Sequence, residues 1–341
     1  MTPIRSTAAR TSRSSPNGLE ALNPRIWLMA ARPRTLPAAI APVLVVSAAA
    51  WWVANDACVS TKDGLAGEPG TPAFVGIVCS PDFRWGAFIA ALIGSIFIQI
   101  GTNLANDYSD AKRGADTVDR LGPVRVTSAG LVAPRSVLIA TWLAFGVAVI
   151  AGIYLATVAG WVIIAVGVAS IAAGVLYTGG PRPYGYAGLG ELFVFLFFGL
   201  VAVNCSYYVQ LERLDWLPFG LSVAVGCLAT AILVVNNVRD IETDRRADKK
   251  TLAVRLGRQG ARRLYAGLIA AAYLALIGTL ATRGGPWWAL LGLVSVPMAI
   301  KPSRAVLTRT DGPALNGALA GTGALLGVFS LTVSVGLLIA T

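Results

Sequence analysis

The chain of 341 residues contains no histidine, four cysteines and three methionines, and only 13% of it is charged. Without histidine there is no Ser-His-Asp or Cys-His machinery and no haem held by an imidazole. With no Cys-x-x-Cys pair either, a zinc site of the usual kind is excluded. The scarcity of charge is as telling, because a soluble domain carries about a quarter charged residues. The period-2 alternation of a membrane β-barrel is missing as well.

What the chain has instead is long apolar runs, with 55% hydrophobic residues and a mean hydropathy of +0.67. Nine segments approach or reach spanning length: 35–55, 86–106, 136–157, 161–178, 188–210, 217–237, 263–282, 287–300 and 314–340. The expected fold is therefore an all-α polytopic membrane protein of nine transmembrane helices, embedded in a lipid bilayer. The eighth segment is short enough to be tilted or only partly spanning. Residues 1–31, rich in Arg, Ser, Thr, Pro and Asn towards their start, read as a mobile basic tail ahead of a membrane domain at 32–341. Arg32 and Arg34 stand directly against a long first apolar run, which suggests a retained helix rather than a cleaved signal peptide.

The basic residues set the orientation. With the N-terminus in the cytoplasm, 24 of the 28 Lys and Arg fall on the cytoplasmic side, leaving Lys62, Arg84, Arg213 and Arg283 outside. The net charge of +11 thus flanks apolar spans and does not imply nucleic acid as a partner. Cys205 and Cys227 fall inside expected helices as packing residues. Cys58 and Cys79 share one outer loop, where a disulfide between them is a candidate.

Two polar clusters end apolar runs on the cytoplasmic side. In the first, Asn103, Asn106, Asp107 and Asp110 have offsets 0, 3, 4 and 7, so a helix puts them on one face, with Gln99 a turn deeper. Asp116 and Asp119 follow in the loop. In the second, Asn236, Asp240, Asp244 and Asp248 have offsets 0, 4, 8 and 12. Such residues also serve as helix caps, but like charges stacked at i, i+4 repel and persist most readily around a cation. Oxygen donors of this kind suit Mg²⁺, which takes one or two carboxylates and completes its shell with water and phosphate. Lys112, Arg113, Arg125, Arg239, Lys249 and Lys250 lie near enough in sequence to balance a diphosphate.

At these residues the sequence resembles the UbiA-type intramembrane prenyltransferases. The first motif reads Asn106-Asp107-Tyr-Ser-Asp110-Ala-Lys-Arg-Gly-Ala-Asp116, its last Asp two residues later than the generic pattern, a form similar to the menaquinone branch of that family. The segments Arg32-Pro-Arg-Thr-Leu-Pro37, Tyr177-Thr-Gly-Gly-Pro-Arg-Pro-Tyr-Gly-Tyr-Ala-Gly-Leu-Gly-Glu191 and Lys250-Thr-Leu-Ala-Val-Arg-Leu-Gly257 agree with it. One departure is Asp248-Lys249, where the pattern has Gly-Lys.

The resemblance covers about residues 32–340 and implies nine helices around a central cavity with a cytoplasmic acidic cap, in the plasma membrane. It implies Mg²⁺, a polyprenyl diphosphate donor and 1,4-dihydroxy-2-naphthoate as acceptor, prenylated with decarboxylation to demethylmenaquinone. Metal binding then falls to Asp107, Asp110, Asp240 and Asp244, with Asn103, Asn106 and Asn236 as further or water-mediated ligands. Lys112, Arg125 and Lys250 are diphosphate clamps, Arg182 holds the naphthoate carboxylate, and Asp116 and Tyr177 are candidates to take the acceptor's proton. Glu191 is an acid at membrane depth and so a functional candidate. Phe193, Phe195, Phe197, Phe198, Tyr207 and Tyr208 are pocket or packing residues. Another aromatic acceptor such as 4-hydroxybenzoate, alcohol-phosphatidyl transfer and a cation or metabolite transporter stay open as alternatives, and oligomeric state is unreadable.

Overall fold

A computed structural model describes residues 23–65, 83–114, 121–122, 124–283 and 285–340. The helices in chain order are α1 (Pro24–Ala31), α2 (Leu36–Leu65), α3 (Trp85–Lys112), α4 (Pro134–Ala159), α5 (Val162–Leu176), α6 (Gly190–Val194), α7 (Ala202–Leu211), α8 (Trp216–Arg246), α9 (Leu252–Arg283), α10 (Val296–Thr308) and α11 (Gly312–Ile339). Among the described residues the protein is all-helical. The chain is a multi-pass membrane protein: eight helical segments are long and apolar enough to cross a bilayer, while α5 is apolar but only 15 residues long.

Local sequence explains the boundaries. Proline at the first helical position and glycine just past the end bracket α4, with Gly160 at φ 88°. Asp311 caps α11 by accepting the Ala314 N–H. Residues 24–31, expected within a mobile tail, form a helix because Asn23 caps it, Pro24 starts it, and Ile26, Trp27, Met29 and Ala30 pack on Leu104, Val126 and Val132. Residues 1–22 and the Cys58–Cys79 pair lie outside the described side chains.

Helix α8 is the centre of the bundle. Of its apolar stretch 83% is buried, against 28% for the segment Gly190–Leu211 and 33% for α4. Lipid is as apolar as leucine, so close backbone approach, not hydrophobicity, sets these interfaces. At one of them Gly199 faces Gly226 of α8, and a Cβ on Gly199 would come within 2.7 Å of the Gly226 Cα. Between α6 and α7 the backbone runs as a π-helical stretch, Phe195–Val201.

The two ends of the bundle differ. Helices α3 and α8 both finish at one end, in the acidic clusters. At the other end, Arg84 pairs with Glu212 at 2.6 Å, joining the start of α3 to the end of α7. Exposed Trp85, Trp161, Trp216, Trp287 and Trp288 ring that far end. An aromatic belt of this kind marks a membrane–water interface.

Candidate active site

A cavity of ≈ 360 Å³ opens inside the bundle, walled by α2, α3, α4, α5, the α6–α7 segment, α8 and Leu319 of α11. Along α3 its lining runs from Ala91 to Asp110, about 28 Å at about 1.5 Å per residue, close to the hydrocarbon thickness of a bilayer. Its deep part is apolar and includes Leu155, Ile163, Val166, Phe197 and Val201. Its other end is polar, where the connections after α3, α5 and α8 fold over the acidic helix ends. Three acids (Asp110, Asp240, Asp244) and three bases (Arg32, Arg125, Lys249) line it.

The first cluster divides between the cavity and its frame. Asp110, 1% exposed, accepts from Arg125 Nη2 at 2.8 Å and from the Tyr186 hydroxyl at 2.6 Å, with Lys249 Nζ 3.4 Å away. Each of these partners comes from a different connection, so one carboxylate gathers the whole cap. Asn103 donates its amide to the Ala31 carbonyl at 2.9 Å and to Thr35 Oγ1 at 3.2 Å. Asn106 accepts from the Thr178 hydroxyl at 2.8 Å. Asp107 is elsewhere: it lies off the cavity wall, and its two oxygens accept the backbone N–H of Val126 at 3.1 Å and Thr127 at 3.0 Å. It holds the turn that carries Arg125. Asp116 lies outside the described residues.

In the second cluster Asp240 receives Arg239 in a two-pronged pair, Nε to Oδ1 at 2.7 Å and Nη2 to Oδ2 at 2.6 Å. Asn236 accepts from the same Nη2 at 2.8 Å. Asp244, half-buried, lines the cavity a turn further on. The stripe stops there, because α8 ends at Arg246. Asp248 sits past it at φ 53° with an exposed side chain, the left-handed conformation that explains why glycine suits this place. The following residue, Lys249, turns inward and lies 4.7 Å over the Tyr186 ring.

The clamp therefore differs from its sequence reading. Lys250 is exposed, with its backbone N–H on the Tyr186 carbonyl, and Lys112 and Arg182 also stand on the surface away from the cavity wall. Adjacent lysines cannot be told apart by spacing once the helix has ended. Arg32, at φ 54° between α1 and α2, also lines the cavity, a place that its sequence reading as a basic flank and motif residue did not give it. A bulky residue held at positive φ is a backbone outlier of the kind that gathers at functional sites.

Tyr177 lines the cavity, its ring against Tyr184 at 5.4 Å. Burial raises the hydroxyl of Tyr184, in the connection after α5, above the ordinary tyrosine range. Tyr184 stacks on Phe193 at 4.0 Å and Phe193 lies parallel to Phe197 at 6.1 Å, a ladder of rings descending from cap to shaft. Phe198 joins this wall, while Phe195 packs on α8 and Tyr207 is buried in the core. Glu191 is buried off the wall and accepts the Asn237 amide at 2.8 Å. Asn237 does reach the cavity.

Among the described residues, no three acidic side chains converge on one point. Asp110 comes from α3 and Asp240 and Asp244 from successive turns of α8, and the amides of Asn103, Asn106, Asn236 and Asn237 line the same cavity. This set fits an ion that takes one or two carboxylates and fills its shell with water and phosphate oxygens, which is the habit of Mg²⁺.

The sequence profile of the UbiA prenyltransferase family matches residues 70–320. Over 309 residues the chain is 43% identical to a Mycobacterium tuberculosis protein named 1,4-dihydroxy-2-naphthoate octaprenyltransferase, spanning 90% of this chain and 95% of that one. An Escherichia coli protein of the same name is 36% identical over 312 residues, 88% of this chain and 91% of its own. In three dimensions the chain is similar to a UbiA homolog from Archaeoglobus fulgidus solved with GPP and Mg²⁺, with a TM-score of 0.58 and 13% identity over 92% of this chain and 99% of that one. An apo UbiA homolog from Aeropyrum pernix gives a TM-score of 0.58 and 16% identity, covering 89% and 97%.

Proposed function

The chain belongs to the UbiA prenyltransferase family, and from that premise we propose that it moves a polyprenyl group from its diphosphate to 1,4-dihydroxy-2-naphthoate in menaquinone biosynthesis. The supporting observation is one cavity that joins an acidic, cation-studded end to an apolar shaft of membrane depth. The first suits a diphosphate and the second a prenyl chain.

The bond to be broken joins prenyl C1 to a diphosphate oxygen, and charge develops on the leaving group. Mg²⁺ bound by Asp110, Asp240 and Asp244, with the Asn103 amide oxygen, would neutralise part of that charge. Arg125 and Lys249, already gathered on Asp110, supply fixed positive charge from two separate connections. The Tyr184–Phe193–Phe197 ladder lines the cavity with aromatic carbon and keeps water away from an allylic cation. Arg32 takes the role first given to Arg182, since a guanidinium matches the planar naphthoate carboxylate. As the C–O bond breaks, a ring carbon bonds to C1 and the carboxylate leaves as CO₂. The product forms at the quinol level, the reduced form of demethylmenaquinone. Asp116 is assigned to take the acceptor's hydroxyl proton and return it to the product quinol, and the Tyr177 hydroxyl to relay it by accepting and donating at once.

The basic, acidic-capped end faces the cytoplasm of the plasma membrane, where soluble diphosphate is released, and the tryptophan end faces out. The test is transfer by the purified chain in detergent, with and without Mg²⁺. Asp110→Asn or Asp240→Asn lowers turnover by about 10²-fold or more; near-normal turnover in folded variants overturns the reading.

A further inference from the structure

We infer that Arg239 is a positioning residue: by holding the Asn236 carbonyl oxygen it turns that amide's N–H₂ to the cavity. Asn236 is then a hydrogen-bond donor to the diphosphate leaving group and not a ligand to the metal.

The geometry is directional. Arg239 is 2% exposed and heads the largest fully buried side chains of the protein. A guanidinium only donates, so any oxygen facing it is identified by chemistry and needs no choice of amide orientation. Arg239 spends Nε and Nη2 on Asp240, Nη2 also on Asn236 Oδ1 at 2.8 Å, and Nη1 on Asn316 Oδ1 at 2.8 Å. Asn316, on α11, passes its own amide nitrogen to the Leu121 carbonyl at 2.9 Å. A carbonyl only accepts, so the order of donors and acceptors is consistent from Leu121 through Asn316 and Arg239 to Asn236.

Asn236 lines the cavity one turn from Asp240. With its oxygen turned back to Arg239, its nitrogen is the end left for the cavity. Asn103 is the opposite case: its nitrogen is used on Ala31 and Thr35, which leaves its oxygen for a cation. Asn106 is bonded to a hydroxyl, which donates or accepts, so its amide is not fixed in this way. The two motifs thus present different groups, an oxygen from the first and an N–H₂ from the second.

This inference rests on the diphosphate reading above, and the experiment separates the two. Asn236→Asp keeps the size and the acceptor for Arg239 but removes the donor. In the full-length chain in detergent, inorganic diphosphate and a non-cleavable prenyl thiolodiphosphate are titrated calorimetrically with Mg²⁺ present. Mg²⁺ alone is titrated by thermal shift. Asn236→Asp weakens both diphosphate ligands by about tenfold or more while half-saturating Mg²⁺ stays within about twofold. Tighter Mg²⁺ with unchanged diphosphate binding overturns the inference. A wild type that binds no diphosphate with Mg²⁺ removes the underlying reading instead, and this one with it. The role of Arg239 is read from a double-mutant cycle. In Arg239→Gln the Asn236 amide is free to turn, so the penalty of Asn236→Asp shrinks; strict additivity overturns the positioning role. Where Arg239→Gln does not fold, Arg239→Lys, which keeps a charge for Asp240 but has no second nitrogen for Asn236, replaces it in the same cycle, with the same two outcomes.

Discussion

Asp107 and Asp110 sit three residues apart on one helix and do different work. Asp110 gathers Arg125, Tyr186 and Lys249 at the cavity, while Asp107 spends both oxygens on the backbone of the Arg125 turn. The two are therefore expected to fail differently. Asp107→Asn leaves a buried backbone N–H facing a donor, so it lowers unfolding stability by about 1–3 kcal/mol, seen as a fall in melting temperature. Asp110→Asn, in contrast, lowers turnover per folded protein, because Asp110 lines the cavity and Asp107 does not. Arg32→Gln raises the KM for naphthoate and leaves that for the prenyl diphosphate in place; equal changes in both would count against its assignment. The helical stripe was legible in spacing alone, but which carboxylate turns to the cap was not, because the loop backbone that claims Asp107 lies 19 residues away. Lys249 and Lys250 were indistinguishable for a similar reason: the left-handed turn at Asp248 decides which one points inward. Asp248→Gly is accordingly neutral to within about 0.5 kcal/mol, whereas Asp248→Val costs about 1–2 kcal/mol in chemical denaturation. Arg239 reads in the sequence only as one of six bases able to balance a diphosphate, because its partner Asn316 lies on a helix with no motif.

At the scale of elements, the spans were the most legible part, since about twenty apolar residues can hardly be anything else. Helices α3 and α8 run six and nine residues past the ends expected at 106 and 237, because polar cluster residues continue each helix out to the cap. The π-helical stretch Phe195–Val201 was not legible, as an apolar run carries no mark of its hydrogen-bond register. It lies on the cavity wall beside Phe197 and Phe198, in keeping with the frequency of such irregularities at functional sites. Gly152 of α4 also lines the shaft, and a Cβ there meets nothing within 4 Å. Gly152→Phe is therefore expected to fold, to keep transfer from geranyl diphosphate, and to lose about tenfold or more with an octaprenyl-length donor. Equal rates across chain lengths would show that the prenyl tail does not pass this point.

For the whole molecule, charge and aromatic residues divide the two membrane faces. Basic connections fold over the acidic helix ends, and Trp85, Trp161, Trp216, Trp287 and Trp288 ring the other end. That division supports the proposed orientation, which is open to a labelling test on a background with the native cysteines removed. A cysteine replacing Trp161 reacts with an impermeant maleimide in intact cells, and one replacing Arg182 reacts only after permeabilisation. The proposed function is that the capped cavity joins a prenyl diphosphate to a dihydroxynaphthoate. It is tested most directly in membranes supplied with one labelled polyprenyl diphosphate and Mg²⁺, with 1,4-dihydroxy-2-naphthoate and 4-hydroxybenzoate offered side by side. A labelled, decarboxylated naphthalene product is expected, and it disappears with chelator and in Asp240→Asn membranes. Transfer to hydroxybenzoate alone, or a naphthoate product that survives both treatments, would contradict it.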